Sequence, residues 1–150
     1  MKIFNCLSPL FFNEIMKKIT ITITQKDVDN YNKRYFDLHP KAKKKRIDGP
    51  YHPTLNWYMT ANNLAVNNKK QDWKDFILYI LASNNLLDMG IKKCKVEYRT
   101  FLKARRKRDV DNITPKFIFD GLVEGNFIVA DDIEHVVSLT TCGGYDAENP

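Results

Sequence analysis

Apolar and polar positions alternate strictly from Ile19 to Thr24, reading ITITIT. A period of two predicts a strand with one face buried. The period then disappears. From Gln25 to Pro53 the chain is dominated by Tyr, Asn, Lys and Asp and broken by Pro40, Gly49-Pro50 and Pro53. That stretch predicts a long loop with a short helical piece near Val28 to Phe36, and loops of that length are usually functional or disordered. Thr54 ahead of Leu55-Asn56-Trp57-Tyr58 has the form of an N-cap opening a helix.

The second half is more regular. Trp73, Phe76, Ile77, Ile80 and Leu81 recur at three- and four-residue spacing, which predicts one apolar helix face within Asn68 to Asn85. Lys69, Lys70, Lys74 and Asp75 fall largely outside that face, and Gly90 stands near the expected C-cap. Lys93 to Leu102 alternates again, with Cys94, Val96, Tyr98 and Thr100 on one face and Lys95, Glu97, Arg99 and Phe101 on the other. Thr114-Pro115 predicts a helix start, Thr as N-cap and Pro in the first position, running to about Glu124 before Gly125-Asn126. Ile118 with Leu122 and Phe119 with Val123 are pairs one turn apart, suited to core packing. Phe127 to Val129 reads as a short apolar link, His135 to Thr141 as a third strand, and the residues from Gly143 to Pro150 as a turn. These elements predict an α+β fold, a small mixed β-sheet with helices packed on it, with no internal repeat and no second domain.

A length of 150 residues allows one domain with a modest core, and 43% hydrophobic with 28% charged content is ordinary for a globular chain. The formal charge of +6 and pI of about 9.2 favour a polyanionic partner, nucleic acid before an anionic membrane. No stretch approaches the ~20 apolar residues of a membrane span, so a membrane role is not expected. Cys6, Cys94 and Cys142 stand far apart without CxxC spacing, which argues against a disulfide framework or zinc site and fits a reducing cytoplasm. Pro9, Asn5 and Asn13 interrupt the apolar patches near the start, so no signal peptide is read there. Residues 1–15 are expected to be a non-native or disordered extension, with Met16 as an alternative start.

The chemistry concentrates in one stretch. A basic run, Lys103 to Arg108, ends abruptly in Asp109-Val110-Asp111-Asn112, and Asp131-Asp132 comes about twenty residues later. Positive charge beside carboxylates looks self-cancelling unless the acids hold a divalent metal and the basic side chains hold phosphates. Asp109 and Asp111, two apart, would share a side in extended backbone, and Asp132 would arrive from a second segment. Converging carboxylates repel unless a cation joins them, and oxygen-only ligands favour Mg²⁺ or Mn²⁺ over zinc. Lys116, on the first turn of the next helix, would stabilise phosphate charge, helped by the helix N-terminus. Lys103, Arg105, Arg106, Lys107 and Arg108 would contact the DNA backbone. An Asp-x-Asp alone is more often a turn or cap than a metal site. Asp120 pairs with Lys116 or serves as outer support, and Asn112 caps or turns the backbone. His39, His52 and His135 lack partners at ligand spacing and are expected to be structural or exposed. Lys41 to Arg46, KAKKKR, is either a solvated charge run, a phosphate contact or a localisation-like signal.

Taken together, Arg106 to Val137, RKRDVDNITPKFIFDGLVEGNFIVADDIEHVV, closely resembles the RusA family of Holliday-junction resolvases, particularly its phage members. Leu55-Asn56-Trp57-Tyr58 resembles that family's Leu-Asn-x-Tyr. The likeness spans roughly Ile19 to Thr141, with the sharp motifs in the last third. It implies a RusA-like fold and a homodimeric, Mg²⁺-dependent crossover junction endodeoxyribonuclease that nicks four-way DNA junctions in recombination and repair. The setting implied is the cytoplasm of a bacterium or a phage-infected host. The resemblance places the acidic triad on Asp109, Asp111 and Asp132 and the essential lysine on Lys116, here one residue later than in some members. Family members usually continue past the Gly-Gly turn into another strand, so a sheet short of that strand is expected. Two other readings stand beside it: a junction-binding protein without activity, and a nuclease of another fold built on Asp88 and Glu97-Tyr98-Arg99.

Overall fold

The computed structural model describes Lys2–Ile3, residues 18–105 and residues 107–147. The strands are β1 (Lys2–Ile3), β2 (Ile21–Thr22), β3 (Cys94–Leu102) and β4 (Val136–Tyr145), and the helices α1 (Gln25–Leu38), α2 (Leu55–Thr60), α3 (Asn63–Ser83) and α4 (Lys116–Glu124). One four-stranded sheet runs in the order β2-β1-β3-β4. The backbone of β1 pairs antiparallel with both β2 and β3, whereas β3 and β4 are parallel from Cys94↔Val136 to Leu102↔Tyr145. The result is an α+β fold with a mixed sheet and helices packed on it.

β3 keeps closely to its pattern. Cys94, Val96, Tyr98, Thr100 and Leu102 are all buried, the face expected from the alternation. Above it lie Trp73, Phe76, Ile77, Ile80 and Leu81 of α3 and Phe117, Ile118 and Leu122 of α4, in one continuous core. Phe127 and Ile128, expected as a mere link, belong to that core, and Ile128 bridges to Ile91. α4 lies so close to α3 that a Cβ on Gly121 would sit 2.6 Å from Ile77 Cβ.

Several boundaries differ from expectation, each for a local reason. The ITITIT strand contracts to Ile21–Thr22 because Thr24 turns to cap α1, in a capping box with Asp27. The short helical piece expected near Val28 to Phe36 is there but is longer: α1 occupies the front of the expected loop with fourteen residues. Its inward stripe is Val28, Tyr31, Asn32 and Tyr35, and its polarity hides the helical period. Tyr31 packs on Phe76 and Tyr79 at ring distances of 5.1 and 5.4 Å. Buried Asn32 donates to Ile47 O and accepts from the N–H groups of Arg46 and Ile47, so its amide is satisfied. α3 begins earlier than expected, with Asn62 as its N-cap, and ends at Ser83, well before Gly90. β4 runs straight through Gly143-Gly144 to Tyr145, where a turn was expected.

Candidate nucleic-acid and metal site

The acid pair lies just past the C-terminal end of β3. Val110–Asn112 forms a 3₁₀ turn, closed by Asn112 N–H to Asp109 O at 3.2 Å and Ile113 N–H to Val110 O at 3.0 Å. This replaces the extended backbone expected between the two acids. Asp109 occupies the cap position but makes no side-chain capping bond, and both Asp109 and Asp111 are exposed. The turn is anchored from below by Ile113, whose Cδ1 would lie 3.3 Å from a Cβ on Gly143 of β4. α2 packs beside it. Lys103, Arg105, Lys107 and Arg108 are exposed around the same end, and among the described residues no ion pair ties them up. Arg106 lies outside the described residues.

Lys116 is the first residue of α4 and is exposed. Its Nζ stands 5.3 Å from the centre of the Tyr58 ring. The expected pairing with Asp120 is not made; Asp120 takes Lys70 of α3 at 3.0 Å instead. Thr114 is not the cap either. Pro115 holds that position without a side-chain bond, and the Phe117 N–H donates across to His52 Nε2 at 2.9 Å. His52 Nδ1 lies 2.8 Å from Pro53 O, so the tautomer that satisfies both contacts carries its proton on Nδ1. Burial pushes the His52 pKa down to about 4, against the pull of the Pro53 carbonyl. His52 therefore has a structural role, as expected, but one that depends on a contact 65 residues away in sequence.

Asp132 lies elsewhere. Its Oδ1 accepts from the N–H groups of Glu134 and His135 at 2.9 and 3.1 Å and from His135 Nδ1 at 2.7 Å. The His135 contact holds its carboxyl below the usual range. Its carbonyl accepts from Val136 N–H at 2.8 Å, so it sits at the start of β4. Ile113 touches the other end of that strand, at Gly143, seven residues on, which at ~3.3 Å per residue is roughly 23 Å away. Among the described residues no group of three or more His, Cys, Asp or Glu side chains is placed to hold a metal ion. The expected convergence of Asp109, Asp111 and Asp132 thus does not form within one chain. The reason is topological. In a parallel pair, the segment leaving the first strand and the segment entering the second lie at opposite ends of the sheet.

The remaining donor set still suits a hard cation. Mg²⁺ usually takes one or two carboxylates and completes its shell with water and substrate phosphates. Asp109 and Asp111 are exposed carboxylates two residues apart, and the Asp109 carboxylate is not spent on capping.

The other candidates resolve differently. Arg46, the end of the 41–46 basic run, is structural: it pairs with Asp72 at 2.7 Å and Asp75 at 3.0 Å and lies 5.3 Å from the Tyr35 ring centre. Burial pushes the Asp72 carboxyl up, against the pull of Arg46. Lys41, Lys43, Lys44 and Lys45 are exposed. Glu97 pairs with Arg99 on the outer face of β3, and Asp88 sits in a loop at φ 58° within reach of Asn126. No helix among the described residues is long and apolar enough to cross a membrane. A scan against protein-family models finds no match to this chain, and a search of curated proteins finds no significant match.

Proposed function

We propose that this chain is a divalent-metal-dependent, structure-specific DNA endonuclease that resolves four-way junctions as a homodimer. The observation that supports the reading is the gathering of Asp109, Asp111, Lys116 and the exposed basic residues at one end of the β3/β4 pair. Ligand sites are common in the crevice outside the carboxyl ends of parallel strands. The resemblance of the 106–137 stretch to the RusA family supplies the substrate class.

Asp109 and Asp111 would hold Mg²⁺ or Mn²⁺, and that ion, when bound, polarises a phosphate and provides hydroxide near neutral pH. Lys116, at the positive end of α4, would face the charge that builds on the phosphate. Lys103, Arg105, Lys107 and Arg108 hold flanking phosphates and fix the register of the backbone. Asp132 joins this set only from a second copy, because its own chain places it at the far end of β4.

The test is nicking of a synthetic four-way junction with Mg²⁺ against EDTA. Wild type should nick only with the ion. Asp111→Asn should lose cleavage yet bind the junction as well or better, because a repelling charge is removed and the cationic contacts stay. Cleavage surviving Asp111→Asn removes the assignment. A junction-binding protein without activity is the second reading, favoured by the separation of Asp132 from the other two acids; binding without nicking in Mg²⁺ would establish it.

A further inference from the structure

We infer that Tyr58 is a positioning residue for Lys116: its ring holds the ammonium at the acid-bearing end of the molecule. The inference rests on the role proposed above for Lys116. Four features carry it. The 5.3 Å separation is within cation–π range. The salt-bridge partner one turn along the same helix, Asp120, is taken by Lys70, so it does not draw Lys116 along α4. Tyr58 is itself fixed, meeting Phe117 edge-on at 6.1 Å within a helix capped by Thr54. α2, which carries Tyr58, also packs beside the 3₁₀ turn bearing Asp111.

A lysine on an exposed helix start normally samples many rotamers, and restricting them costs entropy. The Tyr58 ring offsets that cost with its π face before any substrate arrives. His52 works on the same turn from the other side by fixing the Phe117 N–H. The front segment, remote in sequence from both acids and lysine, therefore sets where the cation stands. A ring makes a suitable anchor because it attracts the ammonium without neutralising it. A carboxylate in its place would cancel the charge a phosphate needs.

Two variants and two readouts test this. Tyr58→Phe keeps the ring; Tyr58→Leu keeps an apolar side chain and removes the π face. In NMR spectra of the full chain, the Lys116 ε-methylene protons should lie upfield of those of exposed lysines, stay there in Tyr58→Phe, and return to the ordinary position in Tyr58→Leu. In single-turnover nicking of the junction, Tyr58→Leu should slow the step by about tenfold, the scale of a lost cation–π contact. Its junction Kd, measured well below the melting temperature that the lost contact with Phe117 lowers, should be unchanged, and Tyr58→Phe should restore both the rate and the melting temperature. An ordinary Lys116 shift in wild type overturns the inference whether or not the protein cuts. Tyr58→Leu nicking at the wild-type rate also overturns it. A ring-shifted Lys116 in a protein that never nicks leaves the positioning in place and removes the proposed reaction instead.

Discussion

His52 shows how much one side chain can carry. Its Nε2 lone pair satisfies a helix N–H that Pro115 leaves without a side-chain cap, and its Nδ1–H is spent on Pro53 O. Protonation would replace the acceptor with a second donor facing an N–H, beside the positive end of a helix. The folded pKa of about 4 against an ordinary 6.5 means that the unfolded chain binds more protons between those values. Stability from His52 is therefore fully present above pH 6.5 and lost as pH falls toward 4, by about 3 kcal/mol in all. Asp72, whose carboxyl is raised, works the other way in part of that range. The measurement is accordingly a difference: urea unfolding of wild type and His52→Gln from pH 7 to 4. Glutamine keeps an acceptor for Phe117 N–H but does not titrate, so its stability should vary less with pH, and parallel curves would refute the assignment. None of this is visible in the sequence, where His52 is a lone histidine in a proline-rich stretch.

At the scale of elements, the contact between α3 and α4 sets the geometry of the site, because α4 carries Lys116 at its start. Gly121 and Gly125 let the two helices approach until a Cβ at either would stand 2.6 Å from an atom of Ile77 or Leu81. At Gly121 the obstacle is the Ile77 Cβ, close to the backbone and unable to swing away. Gly121→Ala should therefore destabilise the fold by about 1–3 kcal/mol, as overpacking does, although alanine favours helix. Gly49→Ala, with its nearest neighbour at 3.9 Å, serves as the control. A drop in urea midpoint confined to Gly121→Ala is the expected result. The strength of the sequence signal explains which elements were legible. The apolar face of α3 and the body of α4 keep to their periods because Trp, Phe, Ile and Leu fill their buried positions, β3 alternates strictly between buried and more open positions, and α2 is marked by its Thr54 cap. α1 shows only as a short piece because tyrosines and a buried asparagine fill its inward stripe, and their burial depends on partners at 46–47 and 76–79. The ends of β2 and β4 escape because capping by Thr24 and pairing through Gly143-Gly144 are settled by neighbours.

At the scale of the whole molecule, the parallel pairing of β3 and β4 determines what one chain can assemble. Asp109, Asp111 and Lys116 share an end, and Asp132 stands at the other, with α4 and the length of β4 between. The sequence shows which acids stand near basic residues; it does not show that Asp132 lies apart from Asp109 and Asp111, because strand direction sets that. If the third acid takes part, a second copy must bring it. Mixing two dead variants, Asp111→Asn and Asp132→Asn, decides the matter. In a mixed dimer with shared sites, one site joins the intact Asp109–Asp111 pair of the Asp132→Asn chain to the intact Asp132 of the Asp111→Asn chain. That site is whole, so subunit exchange should restore single-strand nicking of a four-way junction while paired symmetrical cuts remain absent. If each site were built from one chain, both sites of the mixed dimer would carry a lesion and no activity would return. Should Asp132→Asn alone nick at the wild-type rate, Asp132 belongs only to the turn that opens β4, where its Oδ1 already accepts from Glu134 and His135.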